Sequence, residues 1–123
     1  MAHSIKVLVA DESSAVRLLV SSLLRDDGRF DVIGDVATGA AVLDRYGDAD
    51  VVVVDLVLAD TDAFTLMDEL RRREADLPVV VFAEVDPPYL RSEAASRGAA
   101  AFFTHRTNPT QLLDGIAAVA TDA

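Results

Sequence analysis

Five short runs rich in β-branched residues, separated by stretches of helical periodicity, predict an α/β protein with a parallel sheet covered on both faces. Three observations carry this expectation. The stretch "VVVVDLVLAD" (51–60) opens with four consecutive valines, and a run apolar at every position reads as a strand buried on both faces. Four similar runs share the chain with it: "IKVLVA" (5–10), "FDVIGDV" (30–36), "PVVVF" (78–82) and "AAFF" (100–103), the third strand itself being "VVVVD" (51–55). Each interval between them holds a stretch that reads as a helix.

Taken in order, the first helix shows Val16, Leu19, Val20 and Leu23 at i, i+3, i+4, i+7 and ends at Gly28, a residue suited to a left-handed C-cap. The second spans about 39–46. The third carries Ala63, Leu66, Met67 and Leu70 on one stripe. The fourth, about 87–97, is alanine-rich after Pro87-Pro88 and is followed by Gly98. The fifth has an N-cap and N1 proline in Asn108-Pro109, Gln111 at N3, and a stripe of Leu112, Ile116 and Val119. Right-handed crossovers leave few topologies for this alternation, and the flavodoxin-like (βα)5 order 2-1-3-4-5 is the commonest. In that order strands 1 and 3 are neighbours, and ligands bind beyond their C-terminal ends.

Composition bounds the function. A chain of 123 residues, 51% hydrophobic, suffices for a single domain over 1–123. No apolar run approaches the roughly 20 residues of a membrane span, and "MAHSIKVLVADE" lacks the features of a secretory signal. The absence of cysteine rules out disulfides and thiolate metal sites and fits the cytoplasm. The net charge of −10, with one lysine and ten arginines, argues against direct nucleic-acid binding. Most of the sixteen aspartates then read as a solubility device.

Asp55 does not. Burying an ionised carboxylate without a partner is costly, yet Asp55 lies between "VVVV" and "LVLA". The first strand ends in "VLVADE", so Asp11, Glu12 and Asp55 should converge on the crevice. Three carboxylates so close demand a proton or a cation, and an all-oxygen, half-open site suits Mg²⁺. Asp55 is then a candidate nucleophile that accepts a phosphoryl group as an acyl phosphate, with the cation neutralising charge on the phosphoryl oxygens. For Asp11 and Glu12 singly, a plain role as helix cap or first-turn acid stands beside this one.

The segments "VLVADESSAVRLLVSSLL", "VVVVDLVLADTDAF" and "RGAAAFFTH" resemble the landmark segments of response-regulator receiver domains, over about Ile5 to Val119. The resemblance implies that Asp11 and Glu12 are the acidic pair, that Asp55 takes a phosphoryl group from a histidine kinase or phosphotransfer protein, and that the Val57 backbone carbonyl completes the Mg²⁺ ligands. It also exposes departures. Where the family has a switch Ser or Thr, the chain has Ala83, followed by Glu84, whose charge would repel a phosphoryl group at about 4 Å by roughly 1 kcal/mol in water and more in a less polar crevice. Where the family has a lysine, the chain has His105, cationic only if nearby carboxylates hold its proton. Arg106 is a less direct substitute. Phe102 takes the place of the aromatic rotamer switch, with inward packing as the plain alternative. Ala59 and Ala63 replace a proline and a glycine, which leaves the loop after Asp55 undetermined.

Two functions are therefore carried forward: a phosphorylated receiver, and a pseudo-receiver that binds partners without phosphate. An enzyme on the same fold fits less well. A haloacid-dehalogenase-like phosphatase wants an aspartate where Ser13 stands, and a flavodoxin wants flanking aromatics although the chain has no Trp. Output is expected through a downstream protein or a C-terminal output domain absent from this chain. "FDVIGDVATGAAVLDRY" resembles receivers that precede helix-turn-helix domains.

Overall fold

A computed structural model, which describes residues 4–85 and 88–121, has five strands in the order β2-β1-β3-β4-β5. In chain order these are β1 (Ile5–Ala10), α1 (Ser14–Asp27), β2 (Phe30–Val36), α2 (Gly39–Arg45), β3 (Val51–Val54), α3 (Ala63–Arg72), β4 (Val79–Ala83), α4 (Pro88–Ser96), β5 (Ala101–Thr104) and α5 (Pro109–Thr121). All four strand pairings are parallel. The expected architecture and order are those observed. β4 and β5 lie one residue later than expected, and Asp55 falls just past β3 instead of ending it. Residue 87, the expected start of the fourth helix, lies outside the described residues.

Strand side chains alternate between faces, and the sequence uses both. Leu8, Ala10, Val52, Val54, Val81 and Ala83 meet α2, α3 and α4 through Val42, Leu66, Met67, Leu70 and Ala94. Val7, Val9, Val51, Val53, Val80 and Phe82 meet α1 and α5 through Val20, Leu24, Leu112 and Ile116. The four valines of β3 divide between these layers, which is why no position in that run is polar.

The predicted stripes of α3 and α5 face the sheet. That of α1 does so through Val16, Val20 and Leu23 but not through Leu19. Val20, Ser21 and Leu24 are buried, while Leu19 is 57% exposed and Leu18 67%. Two overlapping apolar rows exist on this helix, so periodicity alone leaves its phase open. Arg17 sets it by donating to the backbone carbonyls of Asp11 and Glu12 at 2.7 and 3.3 Å, while its Nε meets Asp35 at 3.2 Å.

Helix ends follow their chemistry. Ser13 Oγ accepts from the Val16 N–H, and Gly28 closes α1 at φ 89°, a left-handed conformation that only glycine adopts cheaply. The Asn108 side chain accepts from the Thr110 N–H at 2.8 Å at the head of α5.

Gly115 faces β5 from within α5: a Cβ there would sit 2.3 Å from Phe103 Cζ. Helical Gly→Ala exchanges ordinarily stabilise by about 0.5–1 kcal/mol, but displacing a packed ring costs about 1–3 kcal/mol. Gly115→Ala should therefore lose about 1–2 kcal/mol, read as a lower urea midpoint at unchanged slope. A raised midpoint would show that Phe103 swings aside freely.

Candidate functional site

The crevice lies where β1 and β3 end side by side. The Asp55 N–H donates to the Ala10 carbonyl at 3.0 Å and the Asp11 N–H to the Val36 carbonyl at 3.0 Å, so both carboxylates leave backbone already fixed by the sheet. Asp11 is 3% exposed, and its Oδ1 accepts from the Ser13 N–H at 2.8 Å. Asp55 is half-buried, and its Oδ1 accepts from the Leu56 N–H at 2.8 Å. Its other oxygen accepts no hydrogen bond among the described residues.

Beside these acids stands His105, exposed, its backbone N–H donating to the Ala83 carbonyl at 3.0 Å and its ring 4.4 Å from that of Phe82, centroid to centroid, with the planes tilted by 33°. One ligand atom from each of Asp11, Asp55 and His105 lies within 4.8 Å of the other two. The structure thus brings together two of the three expected carboxylates, with an imidazole as the third group. Glu12 is exposed and lies outside this cluster. The reason is local: Asp11 remains tied to β2 and turned inward, and the following residue faces outward.

Burial, reinforced by the charge of Asp11, pushes the Asp55 carboxyl up to about 6, against the opposing pull of the Leu56 N–H and His105. Burial also raises the Asp11 carboxyl, opposed by the Ser13 N–H and His105. Two desolvated carboxylates favour a proton or a cation between them.

The loop after Asp55 is fixed, although its family-typical Pro and Gly are replaced. Val57 pairs with Asp62 across a narrow bridge closed by Leu58 N–H to Thr61 and Ala63 N–H to Leu56. The Val57 carbonyl accepts no hydrogen bond among the described residues, which leaves it available as an oxygen ligand. The Ala59 N–H donates to Ala37 at 3.0 Å. Asp60 accepts from the Gly39 and Ala40 N–H groups at 2.7 and 3.1 Å, capping α2 from a loop some twenty residues away; these bonds hold its carboxyl below the usual range. Ala63 simply starts α3, with Asp62 as N-cap accepting from Thr65 N–H at 2.8 Å. Among non-glycine described residues only Glu74 has positive φ, so the missing glycine causes no strain. Asp60 escaped sequence reading because an aspartate in an acidic chain carries no sign of which helix it caps.

Ala83 is fully buried at the end of β4, and Glu84 is exposed. Phe102 is 7% exposed and packs into the α2–α3–α4 layer, with Arg91 stacked 4.9 Å from its ring and donating to its carbonyl at 3.1 Å. Arg106 is exposed and lines a hollow with Glu84, Val85 and Thr104, and among the described residues no ion pair joins it to Asp11 or Asp55. His105, not Arg106, is the basic side chain at the site.

The family model described as response regulator receiver domain matches residues 7–117. The chain belongs to that family. This receiver is 32% identical over 110 residues to the DNA-binding transcriptional regulator NtrC of Rhizobium meliloti, covering 87% of this chain and 22% of that protein. It is 34% identical over 80 residues to a protein-glutamate methylesterase/protein-glutamine glutaminase of Rhodospirillum rubrum, covering 63% and 20%. The chain therefore spans about a fifth of the length of each of these curated relatives. In fold, it matches the NarL signal receiver domain of Mycobacterium tuberculosis with a TM-score of 0.90 at 24% identity, covering 98% and 99% of the two chains. It matches the isolated receiver domain of RcsB from Salmonella enterica serovar Typhimurium, solved with phosphomimetic BeF₃⁻, with a TM-score of 0.86 at 21% identity, covering 97% and 90%. Receivers of this family are signalling modules of two-component systems and in general not enzymes. Among the described residues no helix is long and apolar enough to cross a membrane.

Proposed function

We propose that this receiver accepts a phosphoryl group on Asp55 from a histidine kinase or phosphotransfer protein and passes the signal on through protein–protein contacts, as one domain spanning 1–123. The observation that carries this reading is the free oxygen of Asp55, presented at the sheet's switch point beside the buried carboxylate of Asp11. In the step itself that oxygen attacks phosphorus, the phosphorus–nitrogen bond of the donor's phosphohistidine breaks, and the donor nitrogen leaves with the electron pair. The Leu56 N–H orients the attacking carboxylate by holding its Oδ1. The oxygen donors present fit Mg²⁺: Asp11, Asp55 and the Val57 carbonyl would hold it, with the Glu12 carboxylate, whose charge acts on both aspartates, as a further ligand, and the ion would supply charge neutralisation to the phosphoryl oxygens. The net charge of −10 supports a protein partner over direct contact with nucleic acid.

Incubation with acetyl phosphate and Mg²⁺ should add one phosphoryl group, seen as a mass increase of the intact protein, and Asp55→Asn should abolish it. Failure of the wild type to acquire that mass, with beryllofluoride also leaving its amide spectrum unchanged, would favour the second reading, a pseudo-receiver whose contacts ignore phosphate. That reading has its own observation: Ala83 offers no hydroxyl and Phe102 is already buried.

A further inference from the structure

The third member of the cluster is an imidazole, not an oxygen ligand. Mg²⁺ takes oxygen ligands and near-ideal octahedral geometry, whereas imidazole nitrogen suits the later first-row metals. We propose that Asp11, Asp55 and His105 form a mixed carboxylate–imidazole site for a first-row transition-metal dication, which binds there in preference to Mg²⁺.

Four features of the site support it. The three ligand atoms already lie within 4.8 Å of one another, whereas ligands about 2.0–2.2 Å from a shared ion sit roughly 3–3.5 Å apart, so an arriving ion would need to draw them together by about 1–2 Å at most. Asp11 is 3% exposed, its carboxylate has one hydrogen bond, from Ser13, and no ion pair joins it among the described residues. A buried carboxylate so lightly partnered is a strong ligand once an ion arrives. Phe82, 6% exposed, backs the imidazole, while the backbone N–H of His105 is pinned to the Ala83 carbonyl. Finally, the Val57 carbonyl, two residues after Asp55, accepts no hydrogen bond among the described residues and could serve as a fourth donor, with water completing an open site. An ion held by both His105 and Asp55 would also lie where an incoming phosphoryl group must approach, so bound transition metal should slow modification of Asp55 where Mg²⁺ assists it. The metal-binding claim does not depend on phosphotransfer.

The test uses metal alone. The purified chain is titrated with Co²⁺, Zn²⁺ and Mg²⁺ by calorimetry, with Co²⁺ also followed in the visible spectrum. Expected are affinities for Co²⁺ and Zn²⁺ at least tenfold above that for Mg²⁺. His105→Gln should cost Co²⁺ and Zn²⁺ about tenfold or more while leaving Mg²⁺ unchanged, and Asp55→Asn should weaken all three. His105 is exposed, so the substitution should leave the fold intact, as far-ultraviolet circular dichroism will report. The chain has one other histidine, His3, and His3→Gln serves as the control: it should bind like wild type. Equal Co²⁺ affinity in wild type and His105→Gln, or loss of binding in His3→Gln instead, would overturn the proposal. So would a wild type that binds Co²⁺ no more tightly than Mg²⁺.

Discussion

Asp55→Asn should make the protein more stable, by about 1–2 kcal/mol at pH 7.5 in the presence of EDTA. The Asp55 carboxyl titrates near 6 in the folded chain because burial and the neighbouring Asp11 both oppose its charge; in the unfolded chain it titrates near 3.9. A carboxyl whose folded pKa is raised binds more protons in the native state, so stability falls as pH rises between the two values. Below about pH 4 both states are protonated and the effect is absent; above about pH 6 it is fully present. Two units correspond to roughly 3 kcal/mol at most, reduced by the residue's partial exposure. Asparagine keeps the shape, keeps an oxygen for the Leu56 N–H and removes the charge, which also relieves Asp11. The variant should melt several degrees above wild type at pH 7.5, since about 1 kcal/mol moves a domain of this size by roughly 3–5 °C. At pH 4 the two should melt together. Equal melting temperatures at pH 7.5 would mean that water already solvates the Asp55 carboxylate well. Adding a divalent cation should close the difference by stabilising wild type, because an ion bound only to the folded state adds to its stability. Such a result would mark the site as one where folding free energy is sacrificed to keep two acids together, a common cost of a functional site.

The second large effect concerns the switch. Wild-type protein treated with beryllofluoride should change little on the face formed by α4, β5 and α5, including Tyr89, Leu90, Phe102 and Leu112. A ligand shifts a two-state equilibrium only by its different affinity for the two states. The hydroxyl that would create this difference is absent, because Ala83 offers a fully buried methyl group. Phe102 is already packed inward under Arg91, so inward rotation of that ring is not available as the response. Restoring both partners of the phosphoryl oxygens, Ala83→Thr with His105→Lys, should enlarge the amide shifts on that face several-fold. Each change alone should do less, because both groups bind the same oxygens and their effects are coupled. Threonine is larger than alanine at a fully buried position and should cost about 1–3 kcal/mol, so the comparison is made well below the variant's melting temperature. A large wild-type response that disappears in Asp55→Asn would show that this receiver switches without a strand-4 hydroxyl. No response in the double variant would assign it to phosphate-independent binding.

How much of this was legible beforehand differs from element to element. The stripe Ala63, Leu66, Met67 and Leu70 and the left-handed stop at Gly28 are properties of neighbouring residues, and the structure reproduces them. Leu19 is the contrary case. Its periodicity matched the core, yet it is 57% exposed, because helix phase is decided by what the helix packs against and by the Arg17 tether to the ends of β1. Asp60 is another: its value as a cap for α2 lies in two hydrogen bonds that span the fold.

Local period and composition were enough to give the alternation of strands and helices, the doubly buried valine strand and hence the sheet order. The sequence by itself also placed Asp11 and Asp55 at the ends of adjacent strands, because a parallel sheet aligns strand ends once its order is known. Tertiary structure alone decided which third group joins them. Glu12 and His105 were both within reach of the crevice on sequence grounds. Side-chain direction after Asp11 sends Glu12 to solvent, while a backbone bond from His105 to Ala83 and the packing of its ring on Phe82 put an imidazole beside the two acids.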